Sequence, residues 1–133
     1  MVRYTLGPHQ AGGFFMDYTV KQATGADRQK ALAATDMLTY DEYRSDSYAV
    51  FMAEKDDGEV IGSLVLDPEY ANIHEIWVRK DLQYTEVGDK LVLAAKELLP
   101  GKTLTCGFEA GDNFMSLLLA RCGGAAKWVT YEV

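Results

Sequence analysis

Ala71–Leu91 reads ANIHEIWVRKDLQYTEVGDKL. Ile73–Val78 is a short apolar run of strand character, a polar loop follows, and an amphipathic helix starts near Thr85 or Glu86. Val87, Leu91, Ala94, Ala95 and Leu98 recur at i, i+4, i+7, i+8 and i+11, one face of a helix of about four turns. Pro100-Gly101 stops it. Strand, short loop and helix N-terminus together leave unpaired N–H groups pointing outward, a place suited to an anionic group.

Upstream, Tyr48–Lys55 and Glu59–Leu66 flank Asp56-Asp57-Gly58 and form the clearest hairpin in the chain. Asp67-Pro68 ends its second strand, and the short return makes Ile73–Val78 an antiparallel neighbour. Downstream, Thr103–Phe108 is β-rich and follows a helix, which makes it a central strand parallel to Ile73–Val78. Asn113–Arg121 carries Phe114, Leu117, Leu118 and Arg121 on one side as a short helix, ended by Gly123-Gly124. Lys127–Val133 is a last strand. Nearer the N-terminus, Val2–Leu6 alternates as a strand and Gly7–Gly13 is a loop. Phe14–Ala23 fits a strand or a helix, and Ala26–Leu38 reads as a helix that Asp27 is placed to cap. The order predicts a single α/β domain spanning residues 1–133, layered on a mixed sheet.

The 133 residues carry a net charge of −7, which repels phosphate backbones and argues against nucleic-acid binding. It suits a cationic amine, or simple solubility. No apolar run is long enough to span a bilayer, and MVRYTLGPHQ lacks an apolar signal region. A cytoplasmic protein is therefore expected, or one carried in a particle assembled in a cytosol. Cys106 and Cys122 sit in no CxxC or Cys/His cluster, so no metal site is expected. Both read as reduced, buried thiols.

Two stretches carry a family resemblance. Val78, Gln83 and Gly88 fall on the pattern V-x-x-x-x-[RQ]-x-x-G-x-[GA], with Glu86 in place of its first glycine. Asn113, Ser116, Leu119 and Gly124 fall on N-x-x-[AS]-x-x-[LF]-Y-x-x-x-G, with Ala120 in place of its tyrosine. The segment resembles the acyl-CoA loop of the GNAT N-acetyltransferase superfamily, and the strand and helix order agrees with that fold across nearly the whole chain. The resemblance implies a mixed twisted sheet with helices on both faces, in which Ile73–Val78 and Thr103–Phe108 splay apart. It implies acyl transfer from acetyl-CoA to an amine, borne by a small molecule or by a protein. The pantetheine arm would pair near Trp77 and Val78. The pyrophosphate would rest on N–H groups of Gln83, Tyr84, Thr85, Glu86, Val87 and Gly88, and Asn113 joins this cofactor-binding set.

The departures bear on chemistry. Glu86 adds a side chain and a charge where a glycine lets backbone approach phosphate. At about 5 Å and a surface-like dielectric, one such repulsion is on the order of a few kcal/mol. Glu86 and Asp89 also occupy the first helical turn, where acids commonly satisfy the helix dipole. Ala120 removes the phenol that in the family usually protonates the leaving thiolate; Tyr131 or Tyr84 is the candidate replacement.

His74 and Glu75 are the candidate bases. Simple alternation puts Asn72, His74 and Ile76 on one strand face and Ile73, Glu75 and Trp77 on the other. Some family members carry histidines at the positions equivalent to Asn72 and His74, where they relay the amine proton, and histidine suits that task at neutral pH. The structural alternatives are a strand histidine bonded to a neighbour, and a Glu75 salt bridge to Arg79 or Lys80. Cys106 reads as core, since no histidine partner is near in sequence.

The competing reading is a non-catalytic protein, phage-encoded or accessory, that keeps the fold as an interaction scaffold. The family usually ends in two strands after the last helix, and here Val133 closes the first of them. Lys127–Val133 is thus expected to be an edge that pairs with a second copy or a partner chain, or is covered by Gly7–Ala23.

Overall fold

A computed structural model describes residues 1–35, 43, 45–108 and 111–124. Among the described residues, six strands form one sheet in chain order: β1 (Val2–Leu6), β2 (Met16–Ala23), β3 (Ala49–Lys55), β4 (Val60–Asp67), β5 (Asn72–Val78) and β6 (Thr105–Cys106). Neighbours from β1 to β5 are antiparallel, and β6 runs parallel to β5. Among the described residues the one parallel pair is joined through a helix, as a crossover requires. Helix α1 (Ala26–Ala33) lies between β2 and β3, α2 (Val87–Leu98) between β5 and β6, and α3 (Asn113–Arg121) follows β6.

Alternation along the strands builds a core on each face. In β3, Ala49, Phe51 and Ala53 enter the first core, and Val50 and Met52 enter the second. The first core holds Val87, Leu91, Val92 and Ala95 of α2 with Phe114, Met115 and Leu118 of α3. The second holds Ala31 and Leu32 of α1. The Ser63 hydroxyl, fully buried, donates to the Ala31 carbonyl (3.0 Å) and fastens α1 to β4. Helices therefore cover both faces of a mixed sheet, as expected.

Two glycines set the spacing of the α2 layer. A Cβ on Gly62 would come within 2.9 Å of Leu91 Cδ1 and 3.2 Å of the Trp77 carbonyl oxygen. A Cβ on Gly88 would meet Leu118 Cδ1 at 3.1 Å. α2 thus sits directly on β4 and against α3 because neither contact carries a side chain.

Several elements differ from the sequence reading. Phe14–Ala23 is a strand only from Met16, and Phe14 and Phe15 are exposed in the loop before it. α1 is described to Ala33, and the Asp36–Leu38 end of the expected helix lies outside the described residues. Asp27 does not cap α1: the cap position is Gly25, and Asp27 pairs with Lys21 at 3.0 Å. An ion pair from α1 to β2 engages this carboxylate in place of the local cap. β6 is two residues long rather than Thr103–Phe108. Leu98 and Leu117 are exposed, while Val92 and Met115 face inward. The expected strand Lys127–Val133, with Tyr131, lies outside the described residues. No described helix is long and apolar enough to cross a membrane.

Candidate functional site

The site begins where β5 and β6 part. The Asn72 side-chain amide donates to Thr105 Oγ1 (2.8 Å), and the Thr105 N–H donates to the Ala71 carbonyl (3.0 Å). These bonds clip the strands together at one end. Register pairing covers Asn72 with Thr105 and Ile73 with Cys106, and then stops, although the chain continues through Gly107 and Phe108. Beyond Ile73 the outer edge of β5 has no strand partner among the described residues. Among the described residues, backbone polar groups along this edge are left without a strand partner.

A bulge decides what lines this edge. Val65 pairs with Glu75 and Leu66 with Ile73, so His74 is the extra residue. The bulge overturns the simple alternation. Ile73, Ile76 and Val78 share the first core, on the α2 side, while Trp77 packs on the second core, on the α1 side. The His74 ring makes edge contacts with Tyr48 (5.0 Å between centroids) and Tyr43 (6.0 Å), both of which belong with the second core. His74 and Ile76 therefore do not share a face.

Arg28, on α1, holds the aromatic wall in place. Its guanidinium donates to the carbonyls of Tyr48 (2.7 Å), Tyr43 (2.6 Å) and Ser45 (2.6 Å). Sequence reasoning missed Arg28, because nothing local marks an arginine that binds carbonyls 15 to 20 residues away. The Glu75 side chain makes no hydrogen bond or ion pair among the described residues. Its expected partner Arg79 is committed to Asp81 (2.7 Å) and Glu59 (2.5 Å). The bond to Asp81, and then that to Glu59, raises the Arg79 pKa against the opposing effect of its burial.

On the other side of the sheet lies the loop before α2. A 3-10 turn, Lys80–Leu82, leads into it, and the Gln83 side-chain amide donates to the Val78 carbonyl (3.4 Å). Thr85 is buried, donates to the Leu82 carbonyl (2.7 Å), and accepts from the Val87 N–H (3.4 Å). The backbone N–H groups of Tyr84, Glu86, Gly88 and Asp89 have no hydrogen-bond partner among the described residues. Val87 itself is fully buried, so only its backbone faces the loop. Tyr84 is exposed, and its phenol makes no hydrogen bond among the described residues.

The two acids of the first turn are both engaged elsewhere. Asp89 pairs with Arg121 on α3 at 2.9 Å. Glu86 has ordinary right-handed backbone (φ −72°, ψ −7°), so glycine is not required there, and its side chain caps no N–H of α2. Instead Glu86 Oε1 accepts from the phenol of Tyr18 on β2 (2.9 Å). Burial, reinforced by this carboxylate, pushes the Tyr18 phenol far above its usual range, so it stays a donor. Tyr18 was not among the expected site residues.

Asn113 is exposed at the start of α3, whose cap is Asp112, accepting from the Met115 N–H (3.0 Å). Ala120 is exposed. Burial and the nearby Glu75 raise the Cys106 thiol to about 11, and burial also raises Cys122. Below such a pKa the inert neutral thiol dominates. Alkylation of native protein by iodoacetamide at pH 7.5 should be slower at both cysteines than in the unfolded chain, with Cys106 the slower. Both cysteines are only partly buried, where full burial was expected, and rapid labelling of Cys106 at that pH would contradict even this partial shielding. Among the described residues, no group of three or more His, Cys, Asp or Glu side chains is placed to hold a metal ion.

A sequence model described as the acetyltransferase (GNAT) family matches residues 15–123, from β2 to the end of α3. This chain belongs to that family. No curated protein matches it in sequence. Solved structures agree on the fold. An aminoglycoside acetyltransferase from an uncultured soil metagenomic sample, in complex with sisomicin, is 14% identical. The alignment covers 87% of this chain and 94% of that one, with a TM-score of 0.65. AAC(6')-Iy in complex with the bisubstrate analogue CoA-S-monomethyl-acetylneamine is 12% identical, with 87% and 97% covered and a TM-score of 0.65. The aminoglycoside 6'-N-acetyltransferase AAC(6')-Ih from Acinetobacter baumannii is 16% identical, with 87% and 97% covered and a TM-score of 0.63.

Proposed function

We propose that this protein transfers an acetyl group from acetyl-CoA to an amine. The observation that carries the reading is the pairing of two features on one strand–loop–helix unit. The edge of β5 loses its partner after Ile73, and four N–H groups at the start of α2 are unpaired among the described residues. The first suits the amides of a pantetheine arm, along Trp77 and Val78. The second suits a pyrophosphate, held on the backbone from Gln83 to Gly88. Acetyl-CoA supplies an acyl group already activated as a thioester, so the protein's task is to align it with an amine and manage protons. That the solved relatives include complexes with CoA and with a bisubstrate analogue supports this reading.

The acceptor amine approaches from the α1 face, opposite α2, past His74, Tyr43 and Tyr48. The amine nitrogen bonds to the acyl carbon as the carbon–sulfur bond breaks. His74 takes the proton released from nitrogen, and Glu75 is the second candidate, acting through a water. Backbone N–H groups near Trp77 and Val78 polarise the carbonyl oxygen. Solvent, or Tyr131, protonates the thiolate, since Ala120 offers no phenol. A chain of net charge −7 favours a small cationic amine, and several solved relatives act on aminoglycosides. The cytoplasm supplies both substrates.

Titration calorimetry with CoA is the direct test, followed by thiol release from acetyl-CoA across a panel of amines. A dissociation constant below about 1 mM is expected, in line with common substrate affinities. Ala120, exposed and lacking the usual phenol, favours a second reading: a fold kept for interaction without catalysis. Failure to bind millimolar CoA would decide for that second reading.

A further inference from the structure

We propose that Tyr18 is a positioning residue for the acyl-CoA donor, holding the Glu86 carboxylate off the α2 N-terminus so that a pyrophosphate can occupy it. The inference rests on the donor-site reading above.

Glu86 stands at the cap position of α2, beside unpaired N–H groups. A free carboxylate there has two local options. It can fold back onto those N–H groups, as acids at helix starts commonly do, or it can point to solvent near the site. In this protein it does neither. Its Oε1 is bonded to a phenol that comes from β2, 68 positions away in sequence, and it makes no cap bond. Tyr18 itself has little freedom. It is fully buried in the first core and stacks on Tyr4 at 5.5 Å between centroids. Lys90, one turn after Glu86, lies over the Tyr4 ring at 4.9 Å and adds a positive charge to the same side. A rigid, buried donor therefore captures the one acid that would otherwise compete with an anionic ligand. Asp89, the other acid of that turn, is neutralised by Arg121. Both charges that argue against a phosphate at this loop are thus tied to partners elsewhere in the fold.

Tyr18→Phe keeps the buried ring and removes only the donor. CoA affinity should fall about tenfold, the size of one hydrogen bond to a charged group turned into a nearby like charge. In a Glu86→Gln background, where no charge needs holding, the same change should alter affinity less than about twofold. Two donor probes separate positioning from general loosening. Tyr18→Phe should raise KM for acetyl-CoA, leave kcat at saturation unchanged, and leave KM for S-acetylpantetheine, which lacks the pyrophosphate, unchanged. Equal losses for both donors, or equal losses with and without Glu86, would overturn the inference and make Tyr18 a packing residue. No loss in the Glu86 background would overturn it as well. If neither wild type nor Glu86→Gln binds CoA, the donor-site reading itself fails, and this inference falls with it.

Discussion

Gly62→Val should destabilise the protein by about 3 kcal/mol, because overpacking a tight buried contact has a cost of this order. For a domain of this size that is a fall in Tm of roughly 10 °C. The position lies on β4 under α2, and a first side-chain carbon there already presses on Leu91 Cδ1 at 2.9 Å and Val87 Cγ1 at 3.3 Å. Leu91 and Val87 are both fully buried, so neither has room to turn away. The third neighbour, the Trp77 carbonyl at 3.2 Å, is backbone of β5 and cannot shift without disturbing the β4–β5 ladder. Relief comes most easily by pushing α2 off the sheet. That motion carries the α2 N-terminus away from the edge of β5, so affinity for CoA should fall together with stability. Gly62→Ala, with one carbon, should lose about a third as much. Thermal melting of both variants, with calorimetry at a temperature where each is folded, is the check. A Gly62→Val Tm within two or three degrees of wild type would show that α2 rides more loosely on β4 than these contacts imply.

His74→Ala should lower kcat about a hundredfold and leave KM for acetyl-CoA nearly unchanged, as expected when a general base is removed from a site that still binds donor. The proposal rests on the bulge, which turns His74 toward Tyr43 and Tyr48 on the face opposite α2. Added imidazole should restore part of the variant's rate, since it can take the amine proton in place of the missing side chain. Steady-state rates of both proteins with and without imidazole decide it. An unchanged kcat in the variant would move the role to Glu75 or to bulk water. Glu75→Gln should have the smaller effect if His74 is the base, and the larger one if it is not.

Much of the fold was legible locally. Val2–Leu6, the hairpin around Asp56-Asp57-Gly58 and the stop at Pro100-Gly101 each depend on residues within a turn or two of one another, and the parallel return of Thr105–Cys106 follows from the helix that connects it to β5. Strand alternation and helix period are short-range properties, so the sequence by itself determined most of the order of elements and left Phe14–Ala23 between strand and helix. The two covered faces of the sheet and the parting of β5 and β6 were expected from the family resemblance. The loop before α2 was equally readable as a candidate anion site, because unpaired N–H groups follow from any helix start. What the side chains do at that site was decided by the tertiary structure. The bulge at His74 is a property of how β4 and β5 register together, and no single strand encodes it. Glu86 looks like a cap or a repulsive charge until Tyr18 arrives from the far side of the chain. Arg28 resembles any surface helix arginine until three carbonyls from beyond α1 converge on it. Gly88 reads as a loop glycine, yet it is packed against Leu118. In each case the deciding contact joins residues brought together only when the layers pack, and its partner is chosen by burial rather than by neighbourhood in sequence.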